Sequence, residues 1–174
     1  MKTWHKVAFV LAGILTLASF AIAFFSWDKL PAIIPTHFGI SGEPNAWAPK
    51  SLFYVYLIPT LQLLLVGGFA FLYYKPQYSD MPTTLLLMAM DQEDRDHAFG
   101  LIRTMLAVLV LWTSVLFTFV TYMITSSSLN QSTGYTPYIM LTIIGGMLVW
   151  LVWYTVKVYR VTKELILKKG QINV

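Results

Sequence analysis

Four long apolar stretches, separated by more polar segments, dominate the chain. They cover residues 7–27, 52–74, 104–124 and 138–156, and none of them contains a charged side chain. A helix crossing the ~30 Å hydrocarbon layer needs about 20 apolar residues at ~1.5 Å per residue. In lipid the backbone amides must bond within their own segment, so each stretch is expected to be a helix and not a strand. The pattern predicts an all-α membrane protein, a four-helix transmembrane bundle in a single domain spanning residues 1–174. Lys2 and Lys6, followed by an apolar run with Ala21-Ile22-Ala23, outline a cleavable signal peptide. The run continues through Phe24, Phe25 and Trp27, which makes it long enough to span and is read as an uncleaved first helix.

Composition agrees with lipid as the solvent. The chain is 57% hydrophobic and 11% charged, whereas a soluble domain has about 25% charged residues. There is no cysteine, which excludes disulfides, thiolate metal sites and cysteine nucleophiles. The net charge of +4 raises nucleic acid as a partner, but the basic residues flank the apolar stretches and do not form one solvated patch. They set orientation instead. Ten Lys and Arg lie in the N-terminal tail, the loop of residues 75–103 and the tail of residues 157–174; two, Lys29 and Lys50, lie on the opposite side. This places both termini in the cytoplasm and the protein in the cell membrane.

Inside the spans, Gly67-Gly68 and Gly145-Gly146 offer close backbone approach, and Pro59 removes one helical bond. Tyr73, Tyr74, Trp153, Tyr154 and Tyr159 fit an inner aromatic belt; Trp27, Trp47, Tyr54 and Tyr138 fit an outer one. Trp112 and Trp150 lie deeper and read as packing residues. Without charges in the spans there is no visible proton relay or ion path. Gln62 and the scattered Ser and Thr are expected to bond to their own helices.

Chemistry is therefore sought in the loops. The segment of residues 126–136 reads as a solvated connection. The cytoplasmic loop contains an apolar run at residues 85–90, too short to span, and then Asp91, Glu93, Asp94 and Asp96 beside Arg95 and His97. The acids lack the spacing of an EF-hand and read as the start of a helix, placed near its positive end. The outer loop of residues 28–51 is different. Pro31, Pro35, Pro44 and Pro49 forbid a continuous helix, and Gly39 and Gly42 permit tight turns. Two extended pieces, Ile33–Phe38 and residues 44–47, are expected around a turn at residues 39–42. His37, Glu43 and Trp47 would project from this hairpin.

His37 is the candidate functional side chain, able to change charge near neutral pH. Its alternative role is to satisfy the backbone of a proline-rich loop. Asp28, Glu43 and His37 are too few and too loosely arranged for an expected metal site. No cofactor is expected, and no nucleophile accompanies His37, so an enzyme is not expected either. His5 and His97 fall on the other side of the membrane.

The spacing LPxxIPxHFxxxGxPxxWxxK is formed by Leu30, Pro31, Ile34, Pro35, His37, Phe38, Gly42, Pro44, Trp47 and Lys50. It resembles the signature of a bacterial membrane domain of unknown function, the N-terminal part of the SdpI-type immunity proteins. These protect a producing cell from its own killing peptide. The resemblance covers the first helix, the outer loop and the second helix. It implies recognition of a membrane-active peptide through Pro31, Pro35, Thr36, His37, Phe38, Gly42, Glu43, Pro44, Trp47 and Lys50. Asn45 stands where an acidic residue is common and Gly39 where asparagine is common, and SdpI-type proteins usually carry more spans. The alternative functions are a membrane scaffold or accessory subunit of a transport or signalling complex, and an enzyme using His37 with Glu43 or Asp28. Beyond the bilayer, the expected partner is a toxin peptide or another membrane protein, not nucleic acid.

The charge asymmetry is testable in this cysteine-free chain. Single cysteines at Ser41 and Gln92 should react with impermeant reagents from outside and inside the cell respectively. The reverse labelling would contradict the orientation.

Overall fold

The computed structural model describes residues 2–39, 42–78, 91–130 and 135–172. In the first helix, α1 (Thr3–Ser26), small and hydroxyl residues recur every three or four positions: Ala8, Ala12, Thr16, Ser19 and Ala23. That spacing puts them on one face, and all are buried. Leu17 and Phe25, by contrast, are 71% and 73% exposed. The burial is inverted relative to a soluble helix: bulky apolar side chains face out and small residues face in. This follows from lipid as solvent, where helices associate through close packing and hydrogen bonds and not through hydrophobic exclusion.

The chain continues through a 3₁₀ turn at Trp27–Lys29 into strands β1 (Ile33–Phe38) and β2 (Pro44–Pro49), then α2 (Leu52–Tyr74). After a second 3₁₀ turn at Pro76–Tyr78 come α3 (Gln92–Ser128) and α4 (Thr136–Ile172). All four helices are long and apolar enough to cross a membrane, and the protein is a multi-pass membrane protein. α3 lies at the centre, packing against α1, α2 and α4. Ala107, Val110 and Ser114 have no exposed surface.

The helices differ from the expected limits at one end. α3 begins at Gln92, not near residue 104, and α4 continues to Ile172 where a basic tail was expected from residue 157. With 37 residues each, they are about 55 Å long, well beyond the hydrocarbon layer. The extensions are held by an amphipathic stripe that charge-free windows overlook. Ala98, Phe99 and Ile102 of α3 pack on Tyr73 with Leu165 of α4 beside them, and Val158 joins Met105 and Tyr154. The acids do sit at a helix start: Asp91 is the N-cap residue, with Glu93 and Asp94 in the first turn. The apolar run at residues 85–90 lies outside the described residues.

Sequence reasoning is corrected at three packing sites. Ser19, Gln62 and Thr118 do not serve only their own helices. Ser19 Oγ donates to Gln62 Oε1 at 2.7 Å, and Gln62 Nε2 donates to Thr118 Oγ1 and to the Ser114 carbonyl, each at 3.2 Å. Thr118 Oγ1 also lies 3.1 Å from the Leu15 carbonyl, so α1, α2 and α3 are tied by one polar junction. Neither Gly67 nor Gly68 packs against another helix: a Cβ on either would meet nothing within 4 Å. Of the two glycine pairs, only Gly146 sits at a close approach, where a Cβ would lie 3.1 Å from the Trp112 ring. Trp112 Nε1 donates to the Ile143 carbonyl at 3.0 Å, and its ring lies 6.4 Å from that of Trp150. Finally, Tyr73 and Tyr154 are buried and do not belong to a lipid-facing belt.

The hairpin touches the bundle at its tip as well as its base. Gly42 has φ +78°, and a Cβ there would lie 2.8 Å from the side chain of Pro137 at the start of α4. Gly42→Ala is expected to cost about 1–2 kcal/mol from the positive φ alone, with the contact adding to it. Thermal unfolding in detergent should show the loss; a melt indistinguishable from the parent would contradict the placement of the tip.

Candidate functional site

The hairpin is built by its prolines. β1 and β2 are antiparallel, with Ile33 opposite Pro49, Ile34 opposite Ala48 and Pro35 opposite Trp47. The register then slips on both sides of His37, which faces Ala46, before Phe38 faces Pro44. Thr36 is the extra residue on β1 and Asn45 the extra residue on β2. Proline cannot donate to the ladder, and bulges bend a strand and re-aim its side chains. Here they bring His37 and Asn45 together: His37 Nδ1 donates to Asn45 Oδ1. With Nδ1 donating, the neutral form of His37 has Nε2 as its acceptor nitrogen.

The candidate residues divide into two groups. One group anchors the hairpin. Leu30 and Ile34 are buried with Ala23 and Val55, and Trp27 and Tyr56 pack around them. Pro35 is also buried. Lys50 Nζ donates to the carbonyls of Trp27 (3.2 Å) and Leu30 (3.1 Å) and lies 5.1 Å from the centre of the Trp27 ring. A cation at the C-terminal end of a helix meets unsatisfied carbonyls and the negative end of the dipole. Lys50 therefore fastens the end of β2 to the end of α1. Gly42 fits against Pro137, and the Gly39 amide closes the turn on the Glu43 carbonyl at 2.9 Å.

The other group faces outward. Pro31, Thr36, His37, Glu43 and Trp47 are exposed, while Phe38 and Pro44 are half-buried. Trp47 keeps 58% of its surface exposed. Neither Glu43 nor Asp28 pairs with His37, whose partner is Asn45. Among the described residues no three His, Asp or Glu side chains gather where they could hold a metal. The hairpin exposes an imidazole, a carboxylate and an indole on a braced two-stranded support.

Sequence reasoning passed over a second cluster at the other end of α1. His5 Nδ1 lies 2.8 Å from the Tyr73 hydroxyl, and His5 Nε2 lies 3.4 Å from Thr104 Oγ1. His5 is only 2% exposed. A signal existed: antiparallel α1 and α2 bring the first turn of one beside the last turn of the other.

Comparison with curated proteins and with solved structures finds no match. Residues 14–63, which run from α1 through the hairpin into α2, match the family profile described as Domain of unknown function (DUF1648).

Proposed function

We propose that this is a plasma-membrane protein with both termini cytoplasmic, and that its outward hairpin recognises a membrane-active peptide and so confers immunity or resistance. The observation that supports this is the division of the signature. Leu30, Ile34, Pro35, Gly42 and Lys50 hold the hairpin to the bundle, while Thr36, His37, Glu43 and Trp47 are exposed. A rigid support loses little entropy on binding, and tryptophan is enriched among residues that dominate binding energy. Peptides that act on membranes are commonly basic and amphipathic. The Glu43 carboxylate and the Trp47 ring suit a cation, through charge and cation–π attraction, and His37 Nε2 accepts a hydrogen bond. No catalytic step is needed for such a role, and the protein is proposed as a binder and not an enzyme.

A second reading, a scaffold or accessory subunit, draws on α2. Gly67 and Gly68 are exposed, and a Cβ on either would have open space, so another helix could approach them closely.

The test is a challenge of susceptible bacteria with a panel of membrane-active killing peptides. Cells carrying the parent should survive, while His37→Ala and Trp47→Ala, matched for membrane level, should each need about tenfold less peptide for killing, as expected for loss of a central contact. Absence of protection by the parent against every peptide would contradict the immunity reading and leave the scaffold.

A further inference from the structure

At the end of the bundle opposite the hairpin, α1, α2 and α3 enclose a recess of 380 Å³ lined by Lys2, His5, Tyr73, Tyr74, Gly100 and Arg103. We propose that this recess binds an anionic phosphate group presented at the membrane surface, as in the headgroup of an acidic phospholipid. Three features carry the assignment.

The first is charge. Arg103 Nε donates to the Tyr73 carbonyl at 3.3 Å, which fixes the guanidinium against α2. Among the described residues no carboxylate stands within ion-pair distance of Lys2 or Arg103. Two cations thus share the recess with no carboxylate among the described residues paired to either, and a guanidinium with its paired N–H groups is suited to phosphate oxygens.

Gly100 is the second. Glycine inside a helix is about 1 kcal/mol less favourable than alanine, so a helical glycine calls for a reason. Close packing is not the reason here, since a Cβ at Gly100 would meet nothing within 4 Å. Its missing side chain keeps the recess open on the α3 side.

Depth is the third. α1 has 24 residues and is about 36 Å long, more than the ~30 Å of hydrocarbon. Lys2 and His5 precede the apolar stretch that begins at Val7, and the recess therefore opens at the level of the headgroups. His5 and Tyr73, bonded to each other at 2.8 Å, add polar ring edges to its wall.

The experiment is thermal unfolding of the full chain in nanodiscs of neutral phosphatidylcholine, with and without phosphatidylglycerol. A parallel arm in neutral detergent titrates inorganic phosphate at constant ionic strength. The parent should melt at a higher temperature with phosphatidylglycerol. Lys2→Gln should weaken the lipid dependence about fivefold, the effect of removing one basic residue at an anionic surface. Gly100→Leu, which fills the recess without changing charge, should abolish it. Lys157→Gln, a basic residue outside the recess, should keep the shift. A rise with lipid alone assigns the site to the headgroup, and a matching rise with inorganic phosphate assigns it to free phosphate. The proposal is overturned if neither anion stabilises the parent, if both recess variants respond as the parent does, or if Lys157→Gln loses as much as Lys2→Gln.

Discussion

The hydrogen-bonded junction of Ser19, Gln62 and Thr118 is the contact on which the rest of the structure depends. Lipid supplies no hydrophobic drive for one apolar helix to leave it for another. Helices therefore need specific reasons to associate, and here one amide and two hydroxyls join α1, α2 and α3 near mid-span. Gln62, 1% exposed, would otherwise place an unpaired amide in hydrocarbon, which is costly. The small residues of α1 let α3 come close enough for these bonds to form. The same three helices then provide both ends of the bundle with a fixed platform.

At one end that platform carries the hairpin. Leu30 and Ile34 seat it among Ala23 and Val55, and Lys50 ties it to the carbonyls that end α1. Gly42 lets the tip meet Pro137. At the other end, α3 and α4 run past the membrane thickness, and α1, α2 and α3 frame a basic recess. α4 is joined chiefly to α3, through Trp112, Trp150 and the Tyr154 hydroxyl, which donates to the Leu101 carbonyl at 3.1 Å. The molecule is thus a three-helix platform with a fourth helix attached to its central member.

What could be read from the chain followed the rules that lipid enforces most strictly. Four charge-free stretches had to be helices, and the clustered prolines of residues 31–49 had to interrupt them. The side-chain period of α3 before residue 104 was hidden because Glu93, Asp94, Arg95 and Asp96 mask the buried stripe of Ala98, Phe99 and Ile102. Pairing between elements was less accessible still. Nothing in the spacing of Ser19, Gln62 and Thr118 joins residues so far apart, and their rotation about each helix decides whether they meet. Lys50 entered the recognition set as the last position of the signature, yet its ammonium is engaged by backbone carbonyls. Asn45, noted as a departure from an acidic position, proves to be the partner of His37, which a linear pattern had no means of pairing across two bulges.

The contacts of Leu30, Ile34, Gly42 and Lys50 predict a hairpin fixed to the bundle and not a loose outer loop. Paired spin labels at Glu43→Cys and Tyr138→Cys, both exposed positions in a chain without cysteine, measure it directly in membranes. A single narrow distance distribution is predicted, broadening when Lys50→Met removes the tie to α1. A broad distribution in the otherwise unaltered protein would mean that the hairpin is a loose loop.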